Sequence, residues 1–254
     1  MFKTILGLGV LCLASSAIPA ARAQSAATVY TYVADYGLPR SVWSEFTERY
    51  HKTIVPLLDK LIADGTLVEY GASATVIHRE GAPTHTIWWC SHTIAGTQKA
   101  LAELLKLAPP PPTPGVTHRD HLLRSVEYNM GPAGARGEYT DLDVEVVKQG
   151  KVEQWHMLYE KYSKPVLQKA LADGIISGFG VDQEYVHTEK MGTRFMWIVY
   201  PSADSIDRLN AAFAAARGGA KEEERRAAIS AYSEVYEPGT HMDSLDHVIA
   251  WKHK

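Results

Sequence analysis

Residues 51–65 read HKTIVPLLDKLIADG, and residues 160–174 read EKYSKPVLQKALADG. A shift of 109 positions, the distance from Tyr30 to Tyr139, lays one stretch on the other without a gap. The correspondence runs from Tyr30–Trp88 onto Tyr139–Trp197. Tyr30/Tyr139, Thr31/Thr140, Tyr50/Tyr159, Pro56/Pro165, Leu58/Leu167, Gly65/Gly174, Gly71/Gly180, His78/His187 and Trp88/Trp197 are identical pairs, and Phe46/Trp155, Tyr70/Phe179 and Ile87/Met196 exchange like for like. One fixed offset over so long a window marks an internal duplication.

Within each copy the residues name the elements. Thr28–Ala34 is β-branched and aromatic and reads as a strand. After the break at Gly37-Leu38-Pro39, with Ser41 as a candidate N-cap, Val42, Phe46, Tyr50, Ile54, Leu58 and Leu61 recur at helical spacing up to Asp64-Gly65. Pro56 and Pro165 sit inside these helices and predict a kink or break in both. Leu67–His78 and Thr84–Ser91 form a strand hairpin, a second helix follows over Ile94–Leu107, and Leu122–Tyr128 is the last strand, ahead of which Pro109–Pro112 acts as a stiff connector. The second copy repeats the order, and its last strand, Leu245–Trp251, sits at an offset of 123. The extra 14 residues lengthen its second helix into an arm that carries Lys221–Arg226.

The chain has 254 residues and a formal charge of −3. Lys3, an apolar run from Ile5 to Ile18 too short to span a bilayer, and Ala21-Arg22-Ala23 read as a signal peptide over 1–23, predicting a mature chain from Gln24 that is periplasmic or secreted. Loss of Lys3 and Arg22 moves the charge to −5, which argues against nucleic acid as a partner. Cys90 alone remains, so an intrachain disulfide is excluded. The duplication divides the rest into 24–130 and 131–254, each about the size of one compact unit.

The repeated β-α-β-β-α-β order, with its long first helix, resembles the dimeric α/β-barrel superfamily, with two protomers fused into one chain. The resemblance covers nearly all of the mature sequence and implies an α+β fold, two tandem ferredoxin-like repeats packed sheet to sheet as an intrachain barrel. Its NIPSNAP-like, EthD-like, A/B-barrel, monooxygenase and haem-binding branches differ in activity, so it leaves the reaction open.

If the barrel interior holds the site, the strand alternation bearing Tyr30, Tyr32, Asp141, Asp143 and Glu145 lines it, and Thr31, Val33, Thr140, Leu142 and Val144 face the helices. The alternative sets the three acids on an exposed edge. His78 and His187, closing the second strand of each copy, are the candidate acid/base pair, set against a structural role at the hairpin. Tyr139, Arg124, His247, Trp88 and Trp197 complete the expected ligand-binding set, with Arg124 suited to a carboxylate. His118-Arg-Asp120 and His241-Met-Asp243 stand just ahead of the last strands and read as loop caps, so no metal site is assigned. The expected function is an exported binder of a small apolar or aromatic molecule that can act on it without a tightly held cofactor, as monomer or homodimer. The alternatives are a packed interaction module using the arm after Ser202, and a haem binder with His51, His78, His156 or His187 as axial ligand.

Overall fold

The computed structural model describes residues 28–107, 113–219 and 221–254. The expected signal peptide and the Pro109–Pro112 connector lie outside the described residues.

The first half runs β1 (Tyr30–Gly37), α1 (Trp43–Arg49), α2 (Val55–Ala63), β2 (Glu69–Thr75), β3 (His85–Ser91), α3 (Ile94–Leu104) and β4 (Thr117–Met130). The second runs β5 (Tyr139–Val146), α4 (Val152–Leu158), α5 (Lys164–Ala172), β6 (Gly178–Glu184), β7 (Thr193–Tyr200), α6 (Ala203–Gly219), α7 (Glu222–Val235) and β8 (Met242–His253). The prolines act as expected, through a defined geometry. Pro56 and Pro165 cannot continue the hydrogen-bond ladder, and the turns before them, Tyr50–Ile54 and Tyr159–Ser163, widen to π-helix, with Val55 N–H donating to Tyr50 O and Lys164 N–H to Tyr159 O. Both helices end on a glycine at positive φ, Gly65 and Gly174. Ser41 is not an N-cap: it falls inside a 3-10 turn, Arg40–Val42, that follows Pro39.

The strands close one barrel in the order β1-β3-β2-β8-β5-β7-β6-β4. Each half contributes its four strands in the same internal sequence, and the halves join antiparallel through β2–β8 and β6–β4. Among the described residues every strand has a neighbour on both sides. Outside the barrel the helices cover two cores: Tyr50, Leu58, Leu61, Leu67, Tyr70 and Ala72 in one, and their counterparts Tyr159, Leu167, Ala170, Ile176, Phe179 and Val181 in the other. Burying each of the larger apolar side chains contributes about 1.5–3 kcal/mol. No helix among the described residues is long and apolar enough to cross a membrane.

The barrel face of the strands is the reverse of the one expected. Tyr32 stacks on Trp89 at 4.6 Å within the helix-covered core, and Tyr139 packs with Met196 and Ile198 in the other, so the alternation of Tyr30, Tyr32, Asp141, Asp143 and Glu145 faces the helices. Turned inward are Thr31, whose hydroxyl lies 3.3 Å from Cys90 Sγ, and the two matched tryptophans. Trp88 Nε1 and Trp251 Nε1 donate to Glu69 Oε1 at 3.0 and 2.8 Å, Tyr128 OH donates to Glu69 Oε2 at 2.6 Å, and Trp197 Nε1 donates to Asp182 Oδ2 at 3.0 Å. An eight-stranded barrel has room for little beyond its own side chains. The indoles and Tyr128 take that room, so glycines stand beneath the indoles, and Tyr32 and Tyr36 go to the wider gap under the helices.

Two boundaries also differ. His78 and His187 do not close strands, because β2 stops at Thr75 and β6 at Glu184. In the second half the Glu184 carboxylate accepts from Thr188 N and Glu189 N, folding the hairpin loop back before His187. β4 begins at Thr117, so His118–Asp120 belong to the strand.

Candidate functional site

Aligned at the 109-residue offset, the two halves differ at a few key positions. On the helix-facing side of the first strand, Tyr32, Ala34 and Tyr36 of β1 correspond to Asp141, Asp143 and Glu145 of β5. The first copy packs aromatics there; the second places three carboxylates under its helices. The residues present only in the second copy roof them. α7 presses Val235, fully buried, toward the sheet, and Trp155 Nε1 donates to Tyr236 OH at 2.8 Å while Ser163 Oγ lies 3.2 Å from Tyr232 OH. The arm's charged Lys221–Arg226 end stays exposed, and its apolar side closes a cleft within the same chain.

That cleft is a cavity of about 310 Å3 lined by Asp143 and Glu145 from β5, Met196 from β7, Tyr159 from the π turn, and Tyr232 and Tyr236 from the arm. Burial pushes the Asp143 carboxyl up to about 7, helped by Glu145, Asp243 and Asp141. Burial, then Asp243 and Asp246, raises Asp141 to about 6, and burial also raises Glu145. Burial keeps Tyr159, Tyr232 and Tyr236 well protonated. The cleft therefore sets the Asp143 carboxyl, which exchanges its proton near neutral pH, beside phenols that stay protonated. His241 stands at its rim, with Nε2 2.9 Å from Asp243 Oδ1 and 3.3 Å from Asp143 Oδ1. Asp143, Glu145 and His241 bring one ligand atom each to within 4.8 Å of the others, a spacing that a divalent cation could occupy.

A larger cavity of about 610 Å3 lies beside it, bounded by the β6–β7 hairpin and the loop from β5 to α4, and touched by Arg124, Tyr185, His187 and Arg194. The chain has the fold of known α/β barrels. A monooxygenase-like protein from Fusobacterium nucleatum matches it with a TM-score of 0.58 at 9% identity, over 90% of this chain and 96% of that one. An anthrone oxidase-like protein matches with a TM-score of 0.53 at 11% identity, over 90% and 94%. No family model and no curated protein matches the sequence.

Within this α/β barrel the residues singled out from sequence are dispersed. Asp141 and Tyr139 lie on the acidic strand, and exposed His247 sets its ring edge-on to Tyr139 at 5.4 Å. His187 and Arg124 meet at the larger cavity, and Tyr30 reaches toward it through an edge contact with Tyr185 at 5.6 Å. His78 is far from His187 in role: exposed on the first hairpin loop, it lies against Trp43 at 4.8 Å. Tyr32 is core, and Trp88 and Trp197 belong to the barrel interior. Sequence reading overlooked Tyr159, Tyr232, Tyr236 and Arg194. Setting the copies side by side at the divergent positions, where Ala34 faces Asp143 and Tyr36 faces Glu145, would have found the cleft.

Proposed function

We propose that the chain is a small-molecule-binding α/β barrel whose acidic, tyrosine-lined cleft acts on a compact aromatic compound with an acidic O–H or C–H. The carrying observation is the set of carboxylates that replaces apolar residues on one strand face of the second half, under a helix that the first half lacks. A cavity of about 310 Å3 suits one or two fused rings, within the usual range of ligand sites. Asp143, near half-protonated at neutral pH, takes the proton; the phenols of Tyr232 and Tyr236 steady the oxygen that gains charge. The relatives named for monooxygenase and anthrone oxidase chemistry support a substrate of this kind. A carboxyl group thus holds the acid/base role first sought in His78 and His187. We infer as well that the halves are duplicated ferredoxin-like repeats, supported by their common strand order and offset, and that the mature protein is exported, supported by the leader-like first 23 residues.

Ligand-observed NMR with a panel of phenols and anthrone-type carbon acids tests the site, using the wild type and Asp143→Asn, with and without added divalent cation. Binding of such compounds is expected, with exchange of their acidic proton accelerated by the wild type and that acceleration lost in Asp143→Asn. Equal binding and proton exchange in both proteins would place the site elsewhere.

A further inference from the structure

Arg194 is 7% exposed, yet no carboxylate pairs with it among the described residues. Its Nη1 donates to the neighbouring Thr193 O at 3.1 Å, its Nε has no hydrogen-bond partner, and the face of Trp155 lies 5.6 Å from its Cζ. An unpaired buried guanidinium is costly, and the burial lowers its pKa. The nearby acids are otherwise engaged. Glu184 holds Thr188 and Glu189, Glu237 pairs with Lys190, and Glu145, opposite Arg194 in the β5–β7 ladder, turns to Tyr236.

The first half shows what a merely structural residue looks like at this place. The counterpart of Arg194 is His85 and that of Trp155 is Phe46. His85 is 1% exposed between Trp43 and Phe46, and burial holds its pKa down to about 4, so it is neutral and shut in by rings. In the second half a permanent cation takes the position, and it borders the cavity of about 610 Å3. Arg124, Lys148 and Lys190 line the same space beside Glu184 and Glu237, so with Arg194 the cations outnumber the carboxylates, while Tyr185 offers a ring at the mouth.

We propose that this cavity is a second binding site, for a small organic carboxylate, whose two oxygens lie against the Arg194 guanidinium while its apolar body rests toward Tyr185. The planar guanidinium matches a planar carboxylate with two parallel hydrogen bonds, and the low surroundings of water strengthen them. The site stands independently of the acidic cleft, whose proton chemistry it does not use.

Isothermal titration of the full chain with benzoate, benzyl alcohol and inorganic phosphate tests it. Benzoate is expected to bind the wild type, and benzyl alcohol, its uncharged counterpart, to bind at least about tenfold more weakly, as the loss of a charge-assisted pair implies. Arg194→Met should lose benzoate binding by a similar factor while keeping or raising the melting temperature, because it removes an unpaired buried charge. Arg124→Gln, at an exposed position, should weaken benzoate severalfold with no change in melting temperature, which covers the case of a misfolded Arg194 variant. Benzoate binding that survives Arg194→Met, phosphate binding in preference to benzoate, or no benzoate binding at millimolar concentration would each overturn the proposal.

Discussion

Gly71 lies beneath the indole of Trp88 so closely that a β-carbon on it would come within 2.2 Å of the ring. The pair repeats across the barrel, where a β-carbon on Gly180 would meet Trp197 at 2.4 Å. The two indoles meet the interior carboxylates Glu69 and Asp182, so the rings cannot shift outward without giving up those hydrogen bonds. Gly71→Ala and Gly180→Ala are each expected to destabilise the protein by about 1–3 kcal/mol through overpacking. Urea unfolding of the two variants should show losses of similar size.

Asp182 gives the barrel a pH-dependent stability. Burial raises its carboxyl to about 7, above the usual aspartate value, so the native state binds the proton more tightly than the unfolded chain. That contribution is complete below the unfolded pKa near 4 and is lost as the pH rises through about 7. It is of order a few kcal/mol. Between pH 4 and 7.5 the wild type should lose stability relative to Asp182→Asn, read as the difference in unfolding free energy. A constant difference across that window would refute the assignment.

The arm is held to the body by the Trp155–Tyr236 hydrogen bond at 2.8 Å. Tyr236→Phe leaves the indole N–H without its acceptor, a loss of about 1–3 kcal/mol for a buried donor. Amide exchange over Glu222–Val235 should accelerate in this variant, while exchange in β1 and β3 stays unchanged.

The paired histidines should behave differently. His78 is exposed on a loop against Trp43, so His78→Ala is expected to change stability by less than about 0.5 kcal/mol and to leave ligand binding untouched. His187 borders the larger cavity, and His187→Ala should weaken benzoate while sparing thermal stability. Parallel titrations and melting curves check both. Equal effects on binding would mean that the halves are functionally alike.

The sequence by itself determined the 109-residue correspondence, the order of elements and the disturbed helices. These rest on local chemistry: a proline lacks its N–H wherever the chain goes, and a glycine after Asp64 or Asp173 frees the left-handed turn. It also marked which side chains share a strand face, since alternation has a period of two. What it left open was which face looks inward, because Thr31–Val33 and Tyr30–Tyr32 are both plausible linings and differ only in size. Closure of the barrel decided that, by giving the interior to three indoles with the carboxylates they bond and sending Tyr32, Tyr36 and the acids of β5 under the helices. The same closure, with the roof supplied by α7, brings Asp143, Tyr159 and Tyr236 together across about 90 residues of chain and leaves Arg194 buried with no counter-ion among the described residues. Such meetings depend on tertiary distance, which residue spacing along one chain does not encode.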